Sequence, residues 1–162
     1  RDLLRVAGER GPFEVVGHSY GGMIAQSFAS RYPRQTAGMV LLDPVPLGFQ
    51  QAWPEFGAAL DEATPRTYAD LARSSESAAA GRPLVGMPLI LVSAGVAPSW
   101  LTDSGYQVWR DAQAAQVAGC ANCLHWVAEG ATHQLPDTAP QMTISAIEAV
   151  RASVRAHVRV QA

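Results

Sequence analysis

The stretch Val16-Gly17-His18-Ser19-Tyr20-Gly21-Gly22 constrains this chain more than any other, because it sets a serine among glycines between two segments of different periodicity. Ahead of it, Phe13 to Val16 is a short apolar run that reads as a buried strand. Behind it, Met23, Ile24, Phe28 and Ala29 recur on one helical face from Tyr20 to Arg31, and Pro33 ends the pattern. A second apolar run follows from Gly38 to Asp43, closed by Pro44 and Pro46. Strand, helix and strand over about 30 residues make a βαβ unit, and such units build parallel sheets. A strand that turns directly into a helix forces the turn residue into a strained backbone. Gly17 and Gly21 are expected to remove the side chains that would collide there.

The rest of the chain extends the same alternation. Leu3, Leu4 and Ala7 give residues 2–10 a helical spacing that Gly11-Pro12 stops. Pro88 to Ala94 is a strand, residues 105–118 are helical with Gly119 as their stop, and Leu124 to Ala128 is a fourth strand. The loop 129–136 leads to a last amphipathic helix carrying Ile147, Val150, Val154 and Val158, with Asp137 or Thr138 as its cap and Pro140 in its first turn. Between the second and third strands, residues 45–87 are rich in Pro, Gly, Ala and Ser, an irregular excursion too long for an ordinary loop. The expected fold is α/β: a parallel sheet of about four strands with flanking helices. One domain would span 1–162, its core at 1–44 and 88–162 and its insertion at 45–87.

Composition removes several function classes. A chain of 162 residues, 48% apolar, 16% charged and with net charge −2, suits one folded domain and gives no electrostatic footprint for nucleic acid. All its basic residues are arginines, which excludes a lysine Schiff base and a phosphate-binding P-loop lysine. Apolar runs such as Leu89 to Val92 fall far short of the ~20 residues that span a bilayer.

A serine hydroxyl on a strand-to-helix turn is a candidate nucleophile, provided that a base takes its proton. The helix behind Ser19 points its first N–H groups at the same spot, and the N–H of Tyr20 is the candidate oxyanion donor. Of four histidines, His133 lies in Gly130-Ala131-Thr132-His133, on the loop leaving the last strand, at the same sheet edge as Ser19. His18 adjoins Ser19 and is expected to point away. His125 belongs inside a strand as a satisfied histidine, and His157 is a solvated residue of the terminal helix.

These residues together carry a resemblance. G-x-S-x-G between strand and helix, GHSYGG, RYP after the helix, VLLDP and EGATH resemble the serine esterase-like members of the α/β-hydrolase superfamily. The resemblance implies a triad in the order Ser–Asp–His, with Ser19 as nucleophile, His133 as base, and acyl transfer from an ester. It also implies that 45–87 is a lid, with Phe49, Trp53 and Phe56 either lining a substrate pocket or packing the lid onto the core. Most of the family carries its acid after the strand that follows the lid, whereas here that strand ends Ser93-Ala94-Gly95-Val96-Ala97-Pro98. Two carboxylates remain. Asp43 ends the strand next to the elbow, and neighbouring strands lie about 4.8 Å apart. The alternative is Asp103, eight residues past Gly95; Asp111 reads as a solvated charge on a helix face. Family members also carry about four strands before the elbow and an HG-type loop with a second oxyanion donor. The chain opens on Arg1 inside a helical pattern, and so resembles the C-terminal portion of such a hydrolase. From this we expect an isolated chain that turns over esters poorly, with an exposed edge on the nucleophile strand. A serine nucleophile disfavours the dehalogenase and epoxide hydrolase branches. Thioesterase, acyltransferase, C–C hydrolase, haloperoxidase and catalytically silent binding-protein readings stay open.

Cys120-Ala121-Asn122-Cys123 has neither the second ligand pair of a zinc site nor the helix-start position of a redox motif, so a local disulfide or two thiols is expected. No cofactor and no metal are implied. The expected partner is a small-molecule ester; sequence assigns neither compartment nor oligomeric state.

Overall fold

The computed structural model describes residues 2–47, 73 and 86–161. Its elements, in chain order, are α1 (Asp2–Val6), β1 (Phe13–His18), α2 (Tyr20–Arg31), a short 3-10 turn (Pro33–Gln35), β2 (Thr36–Leu42) and β3 (Leu89–Ala94). They continue with α3 (Asp103–Val117), β4 (Cys123–Ala128), α4 (Leu135–Thr138) and α5 (Pro140–Ala156). The four strands form one parallel sheet in the order β1-β2-β3-β4, so the α/β reading of the sequence holds.

Strand periodicity sorts the core into two layers. Val40, Leu42, Ile90 and Val92 face one side, where they pack with Ala128, Leu135, Ala146 and Val150 from β4, α4 and α5. Met39, Leu41, Leu89 and Leu91 face the other, against Ala25 and Ala29 of α2. A third cluster joins Met23 and Val45 to Leu101, Tyr106 and Trp109 beside the carboxyl end of the sheet. A parallel sheet covered on both faces reads as continuous apolar runs, and β2 and β3 do so.

β1 departs from the expectation of a buried strand. It is an outer strand among the described residues, with Glu14 exposed and Val16 46% exposed. Its alternation places Val15 on the α2 side and Glu14 and Val16 on the side that the described helices leave largely uncovered. The terminal helix is also entered differently. Ala139 is the N-cap of α5, without a side-chain bond, and Asp137 and Thr138 belong to α4 instead. Pro140 opens α5 as expected, where its missing N–H costs nothing. Cys120 and Cys123 are joined as a disulfide, Cα to Cα 5.4 Å, closing the turn between α3 and β4. No helix among the described residues is long and apolar enough to cross a membrane.

Candidate active site

Register brings the first two groups together. His18 pairs with Leu42, and Leu42 with Val92, so Ser19 and Asp43 leave neighbouring strands at the same sheet edge. Ser19 turns the chain from β1 into α2 at φ 54°, ψ −122°, a left-handed value that a non-glycine residue adopts only when its surroundings impose it. Those surroundings are backbone bonds: the Ser19 N–H donates to the Leu42 carbonyl (3.0 Å), and the Ser19 carbonyl accepts from Gly22 (3.0 Å) and Val45 (3.1 Å). A Cβ on Gly17 would stand 2.5 Å from the Gly21 carbonyl oxygen, and one on Gly22 would stand 2.5 Å from Pro44 Cβ. A Cβ on Gly21 would meet nothing within 4 Å. The close approach that makes the elbow therefore needs Gly17 and Gly22, rather than Gly17 and Gly21. Tyr20 is the first residue of α2, a position whose N–H has no acceptor within its own helix.

Asp43 is the second residue held at positive φ, 39°, with its N–H donating to Val92 at 2.7 Å. It is only 1% exposed. Burying a carboxylate demands partners, and here the partners are divided between its two oxygens. Oδ1 accepts from Gln113 Nε2 (2.9 Å), Trp109 Nε1 (3.2 Å) and the Ala94 N–H (3.3 Å). Oδ2 lies 2.7 Å from His133 Nδ1. The opposite ring nitrogen, Nε2, lies 2.9 Å from Ser19 Oγ. The carboxylate can only accept, so Nδ1 carries the proton, Nε2 is the acceptor, and the Ser19 hydroxyl donates to it. His133 reaches this point from the loop after β4, with its side chain 11% exposed.

His18 does not point away. Strand alternation puts it on the same side as the 129–136 loop, and its Nε2 donates to the His133 carbonyl at 2.7 Å, the two rings 4.9 Å apart. It thus ties the elbow to the loop that carries His133. Trp100 and Trp109 flank the imidazole edge-on, with ring centroids 5.5 and 6.1 Å away. The Tyr106 hydroxyl donates to the Ala94 carbonyl beneath the site. Burial, then the nearby Asp43 carboxylate, pushes this phenol up to about 12, so it remains a donor at neutral pH.

The other sequence candidates lie elsewhere. Asp103 is exposed in the first turn of α3, whose N-cap is Thr102. Asp111 is exposed and accepts from Gln107 at 2.7 Å. His157 is exposed at the end of α5, and His125, in β4, is bonded to Ser93 Oγ at 2.7 Å. Phe49, Trp53 and Phe56 lie outside the described residues. Sequence reasoning missed Trp100, Trp109 and Gln113. A signal for two of them was there: Tyr106, Trp109 and Gln113 recur at helical spacing on the buried face of α3, and a glutamine on such a face needs polar partners.

A hydroxyl bonded to an imidazole, itself bonded to a buried carboxylate, can pass a proton from oxygen to nitrogen while the carboxylate stabilises the resulting imidazolium. Comparison with known proteins agrees with the architecture around this array. The family model described as alpha/beta hydrolase fold matches residues 5–114. Over 34 residues the chain is 56% identical to lipase LipV of Mycobacterium tuberculosis, a match covering 21% of this chain and 13% of the lipase. Over 46 residues it is 44% identical to an abhydrolase domain-containing protein, abhd-5.2, of Caenorhabditis elegans, covering 28% of this chain and 10% of the relative. The chain thus spans only about a tenth of the length of the curated relatives it matches. Among solved structures it resembles the monoacylglycerol lipase of Paleococcus ferrophilus, with TM-score 0.55 and 13% identity over 95% of this chain and 72% of that one.

Proposed function

The chain belongs to the α/β-hydrolase family, and we propose that within it Ser19, His133 and Asp43 are the nucleophile, base and acid of a serine hydrolase acting on esters. The observation that carries this reading is the continuous array of 2.9 and 2.7 Å contacts running from a strained, elbow-mounted hydroxyl to a buried carboxylate. Ser19 Oγ attacks the ester carbonyl carbon as its proton passes to His133 Nε2. The oxyanion that forms is met by the Tyr20 N–H. His133 returns the proton to the departing alkoxide, leaving an acyl group on Ser19. Water, deprotonated by the same nitrogen, then attacks the acyl carbon, and the carboxylic acid leaves as Ser19 regains its proton.

The substrate is an uncharged, partly apolar ester. Trp100 beside the imidazole favours apolar groups there, and the lipase relative acts in the same chemical class by name. In this reading residues 45–87 correspond to the lid-like insertion, with Phe49, Trp53 and Phe56 as its candidate substrate-binding residues. The test is pre-steady-state hydrolysis of a p-nitrophenyl ester by the full-length protein. A burst of nitrophenolate equal to the enzyme concentration is expected, with loss of about 10⁴-fold or more in kcat for Ser19→Ala. A Ser19→Ala variant that hydrolyses the ester as fast as the parent contradicts the proposal.

A further inference from the structure

Three polar side chains that the hydrolytic scheme leaves unused form a hydrogen-bonded line into Asp43. His125 Nε2 lies 2.7 Å from Ser93 Oγ, and Ser93 Oγ lies 2.5 Å from Gln113 Oε1. Gln113 Nε2 lies 2.9 Å from both Asp43 Oδ1 and the Pro44 carbonyl. Ser93 and Gln113 are wholly buried between β3 and α3.

Donor arithmetic gives this line a single direction. The Asp43 and Pro44 oxygens only accept, so the amide nitrogen of Gln113 must face them and its oxygen must face Ser93. An amide oxygen cannot donate, so the one hydroxyl proton of Ser93 goes to Gln113. The remaining capacity of Ser93 Oγ is to accept, which puts a proton on His125 Nε2. Turning the Gln113 amide over would set its oxygen against a carboxylate and a carbonyl at 2.9 Å. Every donor from His125 inward therefore points toward Asp43. From the other side, Ser19 donates to His133 and His133 donates to Asp43. The carboxylate is the sink of two donor lines, one ending on each oxygen.

We propose that Gln113, locked by Ser93 and His125, is a positioning residue that fixes the Asp43 carboxylate so that Oδ2 meets His133 Nδ1. This rests on the hydrolase reading of Ser19, His133 and Asp43. The device suits its place. Asp43 stands on a left-handed backbone at the end of a strand, and rotation about its Cβ–Cγ bond leaves the plane of the carboxylate to be set by its hydrogen-bond donors. Gln113 makes the shortest of the three bonds to Oδ1, beside Trp109 and the Ala94 N–H, and so holds the carboxylate plane, while Ser93 prevents the amide from turning. Networks of this kind rigidify a core when every member is satisfied, as each link is here.

The test compares Gln113→Leu, Ser93→Ala, His125→Leu and His125→Gln in the full-length protein, reading ester hydrolysis together with the downfield proton NMR signal of the His133 Nδ1–H. Misplacement of a supporting group by an ångström costs on the order of 10²-fold. Gln113→Leu is accordingly expected to lose about 10–100-fold in kcat, with KM within about twofold, and to lose or shift the downfield signal. Ser93→Ala follows in the same direction. His125→Leu loses a few fold, and His125→Gln, whose amide N–H can reach Ser93 Oγ, recovers it. A folded Gln113→Leu protein with parental kcat and an unmoved signal overturns the proposal. If that variant does not fold, the pair at half-buried His125 decides, and equal kcat with an unmoved signal in Leu and Gln overturns it. Failure of the hydrolase reading would appear separately, as undiminished hydrolysis by Ser19→Ala, while the NMR signal needs no substrate and still reports on Gln113.

Discussion

Two turns leave adjacent strands at the carboxyl edge of the sheet, and they do opposite things. The turn after β2 carries a side chain in an unfavourable backbone state: Asp43 at φ 39°, buried, with four donors on its two oxygens. The turn after β3 carries no side chain at all where it is tightest. A Cβ on Gly95 would stand 2.6 Å from the Ala128 carbonyl oxygen and under 3.0 Å from the backbone of Glu129 and Gly130. Its backbone is fastened there by the N–H groups of Gly95 and Val96, both donating to Ala131. The β3 turn lies too close to the β4 turn to hold a carboxylate at Gly95. Its contribution is one N–H, from Ala94 to Asp43. A buried carboxylate on one turn thus draws part of its support from the backbone of the neighbouring strand.

The largest expected effect tests which carboxylate serves His133. Asp43→Asn should lower kcat/KM for an activated ester by about 10³–10⁴-fold, since a neutral amide cannot hold the required tautomer. Asp103→Asn should stay within about twofold, and a reversed order would break the comparison. Next comes backbone crowding. Gly95→Ala should cost about 1–3 kcal/mol in urea unfolding, because the atoms it meets are backbone and cannot swing aside. Gly21→Ala, with open space at its Cβ and a place in the first turn of α2, should be neutral or slightly stabilising.

Smaller effects sharpen the picture. Trp109→Phe removes one donor from Asp43 Oδ1 while keeping most of the ring, and should cost about 1 kcal/mol of stability, measured by thermal or urea unfolding. The smallest is a pH effect beneath the β3 turn. Burial, and then the Arg110 guanidinium, lower the pKa of His125 from 6.5. The unfolded chain then binds the proton more readily than the native one. The contribution is complete above pH 6.5 and is lost as pH falls through 6.5 toward the native value. Urea midpoints taken from pH 8 down to pH 5 should therefore decline, and His125→Leu should flatten part of that slope.

Much of this arrangement was legible in the residues. Gly and Pro punctuate every strand and most helices, so the βαβ order followed from Gly11-Pro12, Pro33, Pro44 and Gly119. The placement of Ser19 and Asp43 at one edge followed from strand spacing alone, and the loop position of His133 from its place after the last apolar run. What did not follow were contacts set by side-chain direction. His18 meets the His133 loop because alternation turns it to that side, yet its neighbour in sequence is Ser19. The line from His125 through Ser93 and Gln113 joins residues 20 to 70 positions apart in three elements. Ser93 and His125 each read alone as an isolated polar residue in an apolar strand, and Gln113 as one polar residue among several in α3; only packing shows that they meet. Asp137 and Thr138 looked like caps, but Pro136 and Pro140 split the segment into two helices and left Ala139 between them.

The most direct measurement is the site of modification by a fluorophosphonate ester, read by peptide mass spectrometry on the full-length protein. A single adduct on the peptide carrying Ser19 is expected, with its formation slowed at least about 10³-fold in His133→Ala. An adduct on another residue, or labelling of Ser19 at the parental rate without His133, would contradict the account.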